Sequence, residues 1–321
     1  MSADVDVIVN RAAHGGPSLP AIAADARRAG ATVHETLDLG DLARVADGIA
    51  TRGARAVVLV GGDGSVMRGL SALASAYGGA PLPPVGLAGG GTMCTIARNH
   101  GMRGDRQAWA ARVVHAACEG TGRRVDVPTL RVRRGADPRA GVADDDHVGF
   151  IFGTGLVARF FEAYDAAPRP GAATAASLAA RVFAGSLAGS SFARHVLSPM
   201  RCRLAVDGQT HTAGAWSLVL AATVRDVGLH FLVPYRAGED IDRFHVVASG
   251  LSAHALGVQL PRVMAGRPLQ GEPRVDALAR SLHVAFDEVE GAYILDGDRF
   301  QAHEVTVTDG PRVTLVVPAG P

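Results

Sequence analysis

Residues 56–65 read Ala-Val-Val-Leu-Val-Gly61-Gly62-Asp63-Gly64-Ser65. Ala56 to Val60 form an apolar run without polar alternation, the pattern of a strand buried on both faces in a parallel sheet. The run stops at glycines that permit φ > 0 and carry no Cβ, so backbone N–H groups can close around an anion. Ser65 is placed to cap a helix from Val66 to Tyr77, whose first amides would point at the same anion. The glycines alone fit a plain strand-to-helix turn equally well. Asp63 tips the reading toward a ligand, because a carboxylate in a phosphate-binding turn is repelled by phosphate unless Mg²⁺ or a substrate proton lies between them.

Upstream, Val5 to Val9 is a second apolar run, ending at Asn10-Arg11 and a Gly/Pro loop that reaches Pro17. Pro20 to Arg28 follows a helical pattern stopped by Gly30, Ala31 to Glu35 reads as a strand, and Asp41 to Arg52 as a helix closed by Gly53. This β-α-β-α-β alternation predicts a doubly wound parallel sheet with ligands at the carboxyl ends of its strands. Downstream, the strand Val85 to Ala88 ends at Gly89-Gly90-Gly91-Thr92, and the helical stretch Met93 to Asn99 follows. Two glycine-rich strand-to-helix turns so close in sequence imply one bipartite phosphate cradle. Ala108 to Glu119 is one more helix pattern, broken at Gly120-Thr121-Gly122.

Beyond residue 124 the texture changes. Arg124 to Arg133 alternates, Asp144-Asp145-Asp146 suggests a hairpin turn, and Val148 to Phe152 is a strand. Short runs then recur at Arg201–Val206, Trp216–Ala222, Arg243–Val247, Ser281–Phe286, Ala292–Leu295, Glu304–Thr308 and Arg312–Val317. Many short strands between turn signals predict a β-sandwich. The expected division is an α/β nucleotide-binding domain over residues 1–124 and a β-sandwich acceptor domain over residues 125–321. Phe160–Arg194 and Leu251–Ala265 interrupt the second domain as helical candidates. Gly153-Thr154-Gly155-Leu156-Val157-Ala158 spells a dinucleotide fingerprint, but no acidic residue follows about 20 positions on and no βαβ unit surrounds it.

Composition narrows the function classes. All 32 cationic residues are arginine. The absence of lysine excludes a Walker-type phosphate lysine, a β3 kinase lysine and any Schiff-base lysine. A net charge of +1 gives the whole molecule no pull toward nucleic acid, and a visit to a membrane would need a local patch. Cys94, Cys118 and Cys202 are too scattered for a disulfide framework or a zinc site, which suits a reducing cytosol. No signal peptide is read at the N-terminus, and no apolar run approaches the ~20 residues of a membrane span.

The two turns followed by an all-β half resemble the catalytic domain of the diacylglycerol kinase, sphingosine kinase and bacterial lipid kinase superfamily. Asn10 sits where that family has an Asn-Pro near its first strand. Gly61 to Ser65 matches its GGDG(T/S), and Gly91-Thr92 with Ala97-Arg98 matches its GTxNDFAR. Asp126 falls at the aspartate opening the second domain, Gly153–Ala158 at a G-x-G segment, and Leu295-Asp296-Gly297-Asp298 at its LDGE. NAD kinases share the first turn and the two-domain plan, but their later Asn-Glu pair is not evident. The chain departs from the pattern at Cys94 and Thr95, which replace Asn-Asp, at Arg68, where many members carry glutamate, and at Asp298, which replaces glutamate. Pro234–Asp240 matches only loosely a loop that holds a structural Mg²⁺ in some bacterial members.

The resemblance implies an ATP-dependent lipid kinase that transfers the γ-phosphoryl group of Mg-ATP to a lipid hydroxyl. It implies catalytic roles for Asp63, Asp298 and Asp126. It assigns nucleotide binding to Asn10, Gly61, Gly62, Gly64, Ser65, Gly90, Gly91 and Thr92. The partner is then a lipid substrate at a membrane surface, and the enzyme is cytoplasmic and peripheral; its oligomeric state is open, a homodimer included. Ala172–Leu197, with Leu178, Val182, Phe183, Leu187 and Phe192, reads either as an acyl receptacle or as core. Arg131, Arg133 and Arg134 read as headgroup contacts or as a solvated strand face. Two alternatives stand beside the kinase: a binding homologue with impaired catalysis, and a kinase of a soluble nucleotide such as NAD.

Overall fold

A computed structural model describes residues 4–11, 18–91, 93–135, 146–169, 171–287 and 290–319. Thr92, most of the loop after Asn10 and the turn expected at Asp144-Asp145 lie outside the described residues. The chain forms two compact units. One comprises Met1–Thr129, His147–Gly149 and Gly310–Pro321, and the other Leu130–Asp146 and Phe150–Asp309.

The first unit opens with β1 (Val5–Asn10), α1 (Ser18–Arg28), β2 (Thr32–Thr36), α2 (Leu39–Arg52), β3 (Ala56–Gly61) and α3 (Asp63–Tyr77). It continues with β4 (Val85–Gly89), α4 (Thr95–Asn99), α5 (Arg106–Glu119) and β5 (Arg123–Val127). Val5, Val7 and Val9 of β1 and Val57 and Val58 of β3 are fully buried, as runs without alternation require. The sheet order is β2-β1-β3-β4, then the C-terminal strand Val313–Val317, then β5. β1 to β4 run parallel to one another. Helix α1 packs with α5, and α2 with α3, which covers both faces. The buried Trp109 of α5 fastens its helix to the sheet by donating from Nε1 to the Leu87 carbonyl at 2.9 Å.

The C-terminal run is not a sandwich strand. Val313–Val317 enters the first sheet, parallel to β4 and antiparallel to β5. Its apolar residues Val313 and Leu315 are almost wholly buried there, and Thr129 Oγ1 donates to the Pro311 carbonyl at 2.6 Å. A single boundary at residue 124 therefore gives way to a unit that the chain leaves after Thr129 and re-enters at the end.

The second unit is antiparallel and β-rich, as expected. One sheet places Gln209–His211, Met200–Val206, Ser281–Phe286, Glu304–Asp309 and Leu130–Arg134 side by side. The other runs Arg274–Ala279, Phe244–Ser249, Leu218–Ala222, Ile151–Gly155, Gly291–Leu295 and Asp298–Ala302. Among the described residues five helices interrupt it: α6 (Leu156–Asp165), α7 (Ala172–Ala188), α8 (Ser191–Val196), α9 (Ala253–Val258) and α10 (Leu260–Met264). Val263 of α10 and Leu269 pack on Leu218, Leu220 and Val247 of the second sheet. The Gly153–Ala158 segment is a strand-to-helix turn, but its strand pairs antiparallel on both sides, so it belongs to no βαβ unit.

Asp296 holds the end of this sheet together. Its carboxylate is 3% exposed and accepts from the Phe150 and Ile151 amides at 2.8–3.1 Å. With Asp296 at φ 47° and Gly297 at φ 92°, the pair fills both central positions of a type I′ hairpin turn. Asp296→Ala strands two buried amides and puts alanine in the left-handed region, so it should cost about 2–4 kcal/mol. Chemical denaturation checks this.

Candidate active site

In the order β2-β1-β3-β4, the chain leaves β1 first to one side and then to the other, so the switch point lies between β1 and β3. Ligands of doubly wound sheets bind outside the carboxyl ends of strands at such a point. Asn10 ends β1 and Gly61 ends β3. The Asn10 Nδ2 amide donates to Ser65 Oγ at 3.0 Å and bridges the two ends. A crevice of roughly 210 Å³ opens there, lined by Asn10, Thr36, Leu39, Leu59, Ser65 and Arg68 among others.

The glycine turn differs in detail from its sequence reading. Helix α3 starts at Asp63, with Gly62 as its N-cap at φ −80°. Ser65 is thus the third helical residue and not the cap. Gly61, Gly62 and Gly64 all stay outside the left-handed region. What the turn requires is the missing Cβ. A Cβ on Gly61 would fall 2.4 Å from Ser65 Cβ, and one on Gly91 would fall 2.3 Å from the Gly62 Cα. The Gly90 amide donates to the Gly61 carbonyl at 2.8 Å. The two glycine turns therefore touch backbone to backbone, which makes a single surface of amides from two strand ends.

Asp63 ties the second turn to the first. Its Oδ2 accepts from the Thr95 amide at 2.8 Å and its Oδ1 from the Ile96 amide at 2.9 Å, so the carboxylate caps α4, whose own N-cap residue, Cys94, makes no side-chain cap bond. Burial pushes the Asp63 pKa up, while the Ile96 and Thr95 amides and the Arg98 charge pull it back. Arg106 Nη1 donates to the Gly91 carbonyl, and the Cys94 thiol donates to the same oxygen at 3.2 Å. Desolvation raises the Cys94 pKa to about 11, so the thiol stays protonated in that bond.

Residues 5–130 match the diacylglycerol kinase catalytic domain family. No curated protein sequence matches the chain. Over 98% of its length it is similar to the crystal structure of a diacylglycerol kinase from Bacillus anthracis str. Sterne, with 97% of that chain covered, 15% identity and a TM-score of 0.63. A second solved structure from that organism, also designated a diacylglycerol kinase, is matched over 95% of its length at 16% identity with a TM-score of 0.71. At such identities the likeness speaks for the fold.

The first unit gathers Asn10, Gly61, Gly62, Asp63, Ser65, Gly90 and Gly91 at one end of its sheet, and Gly64 lies in the first turn of α3. It does not bring Asp126 to them. That residue is exposed on β5, where Thr314 Oγ1 donates to it at 2.6 Å. β5 is separated from β3 by two strands, and Asp126 pairs with the start of Val313–Val317 at the amino end of the parallel strands. Asp298 belongs to the second unit, at the start of Asp298–Ala302. The I′ turn accounts for Asp296 and Gly297 but leaves Asp298 outside its central positions. Asp165, at the end of α6, has a pKa raised by burial and by the Asp298 charge, with Arg299 opposing. Asp165 therefore feels the charge of Asp298, and it was absent from the sequence reading.

Sequence reasoning also missed Arg106 and the residues after β2. Arg106 starts a helix whose pattern begins, by apolar spacing, at Ala108. Thr36, buried at the end of β2, accepts from the Arg11 amide at 2.9 Å through its carbonyl and lines the crevice. Arg131 and Arg133 are engaged by Asp146, at 3.4 and 2.8 Å, which favours the plain strand-face reading for both. Among the described residues no group of three or more His, Cys, Asp or Glu could hold a metal ion.

Proposed function

We propose that this kinase of the diacylglycerol kinase superfamily transfers the γ-phosphoryl group of Mg-ATP to a lipid hydroxyl. The observation that carries the reading is the backbone-to-backbone contact of the Gly61–Gly62 and Gly90–Gly91 turns at the carboxyl ends of β3 and β4, beside the β1/β3 switch point. A surface of amides without Cβ atoms suits a polyphosphate. Asn10, Gly61, Gly62, Gly64, Ser65, Gly90, Gly91 and Thr92 would hold the nucleotide. Arg68 brings to the crevice a positive charge that a glutamate would not. A Mg²⁺ ion bound with the nucleotide would take most of its ligands from phosphate oxygens and water, and it would supply charge neutralisation to the transfer.

In this reading Asp63 braces the cradle, since both of its oxygens are already engaged by Thr95 and Ile96. The proton of the acceptor hydroxyl then goes to Asp298, whose neighbour Asp165 raises the local negative charge. Asp126 has no part in it. Asp298→Asn should lower kcat about 100-fold or more with little change in the KM for ATP, and Asp298→Glu should retain activity. Steady-state kinetics with both variants check this.

The acceptor class is tested by Mg-ATP turnover against diacylglycerol and sphingosine in mixed micelles, and against NAD without lipid. Turnover with a lipid alone is the expected result. Turnover with NAD would favour the soluble-nucleotide alternative, and ATP binding without turnover would favour a binding homologue. Because its acceptor would be insoluble, the enzyme would work as a peripheral protein at a membrane on the cytoplasmic side; no helix among the described residues is long and apolar enough to cross a membrane.

A further inference from the structure

No aspartate or glutamate occurs from residue 166 to residue 206, or from residue 243 to residue 271. Acidic residues number 31 in the whole chain, so this charge separation departs from an otherwise even balance. The two stretches are brought together by the fold. Helix α7 packs on α8 and on α9, and α9 on α10. Ser186 and Leu187 lie against Gly257, where a Cβ would fall 1.9 Å from Ser186 Oγ and 3.7 Å from Leu187 Cδ2.

The same helices carry exposed apolar side chains. Leu187 is 45% exposed, Val258 51% and Met264 42%. Arg169, Arg181, Arg194 and Arg267 are exposed in the same two stretches. Arg181 lies over the Phe192 ring at 4.2 Å, which links α7 to α8 through a cation. The acidic residues nearest to Arg194 in sequence are Asp165 and Asp207. In α7 only Ala175 and Ser186 are buried, so the helix presents most of its surface outward and contributes little to the core. That answers the receptacle-or-core alternative for this stretch with a third possibility.

We propose that the face built by α7, α8, α9 and α10 docks onto an anionic lipid bilayer. Arginine flanking exposed Leu, Val and Met is the composition that binds such a surface, with the apolar tips entering the headgroup boundary and the guanidinium groups meeting lipid phosphate. A free polyanion such as nucleic acid would use the arginines alone and leave Leu187, Val258 and Met264 in water. The proposal deepens the peripheral reading above by naming the surface involved, and its test needs neither nucleotide nor acceptor.

The experiment is co-sedimentation of the full chain with phosphatidylcholine vesicles, with and without an equimolar share of phosphatidylglycerol. The wild type should sediment with the anionic vesicles and stay in solution with phosphatidylcholine alone. Arg169→Gln and Arg194→Gln should each lower the partition coefficient about five-fold, the loss expected for one basic residue at such a surface. Leu187→Asp should lower it further. Arg124→Gln on β5, an equal charge change in the other unit, should leave it unchanged, and thermal melts would confirm that each variant is folded. Failure to bind anionic vesicles, or an equal loss with Arg124→Gln, would overturn the proposal. A monomer–oligomer shift in Leu187→Asp would instead assign the face to a second copy. Vesicle binding without any ATP turnover would leave this surface standing and remove the kinase reading, and turnover of a short-chain acceptor without vesicle binding would do the reverse.

Discussion

Asp63→Asn should reduce phosphoryl transfer about 100-fold or more and weaken ATP binding together with stability. The carboxylate offers one oxygen each to the Thr95 and Ile96 amides. Asparagine keeps one acceptor and turns the other into an NH₂ group that faces an N–H donor. One buried amide then loses its partner at a cost of about 1–3 kcal/mol, and the N-terminus of α4 loses the favourable negative charge worth about 0.3–1 kcal/mol more. Because α4 begins only four residues after Gly91, its displacement carries Gly90 and Gly91 away from Gly61 and Gly62. Asp63→Glu should not rescue, since one more methylene displaces the oxygens by up to about 1.5 Å. A residue serving only as proton acceptor would behave differently, losing kcat in the asparagine variant while stability and ATP affinity stayed at wild-type values. Denaturation midpoints and calorimetric ATP titrations read the two outcomes apart.

Gly91→Ala should be still more damaging to the fold. The new Cβ would lie 2.3 Å from the Gly62 Cα and 3.0 Å from its nitrogen. Those are backbone atoms, so no rotamer change relieves the overlap and one of the turns must move. Overpacking of this kind costs about 3 kcal/mol, at the upper end of its usual range, and here it also opens the amide surface on which nucleotide binding depends. Gly62→Ala provides the comparison, because among the described residues its Cβ would meet only the Gly91 Cα, at 3.3 Å. The alanine at position 62 should retain measurable ATP affinity, and the one at position 91 should not. Thermal melts and ATP titration of the pair check the order.

The reach of sequence reasoning depended on what each signal encodes. The first sheet was legible because Val5–Val9, Ala56–Val60 and Val85–Ala88 are buried on both faces and show unbroken apolar runs that end at glycine or asparagine. The pairing of the two turns was legible too, but its cause was not. Glycine suggests a positive φ, whereas these glycines are needed for approach distances set by another segment about 30 residues on. Ser65 resembles a helix cap in sequence, yet helix α3 begins two residues earlier and its hydroxyl is taken by Asn10 across the switch point. Val313–Val317 reads like any other short strand, and only pairing with β4 and β5 sends it to the first sheet. Arg274–Ala279 and Asp298–Ala302 were not expected as strands, since Arg-Val-Asp-Ala-Leu-Ala and Asp-Arg-Phe-Gln-Ala hold too few large apolar residues to announce themselves. Asp296 and Asp298 flank one glycine in an Asp-Gly-Asp triplet, and local sequence does not tell the buried brace from the carboxylate left outside the turn.

The central claim is transfer of the terminal phosphoryl group of ATP to a lipid over the paired glycine turns at the carboxyl ends of β3 and β4. Its most direct test incubates the wild type and Gly91→Ala with mixed micelles of diacylglycerol or sphingosine and Mg-ATP labelled at either the γ- or the α-phosphate, followed by organic extraction. The account predicts label in the organic phase from γ-labelled ATP only, and only with the wild type. Label remaining in the aqueous phase with each lipid, or passing to lipid equally well in Gly91→Ala, would contradict it.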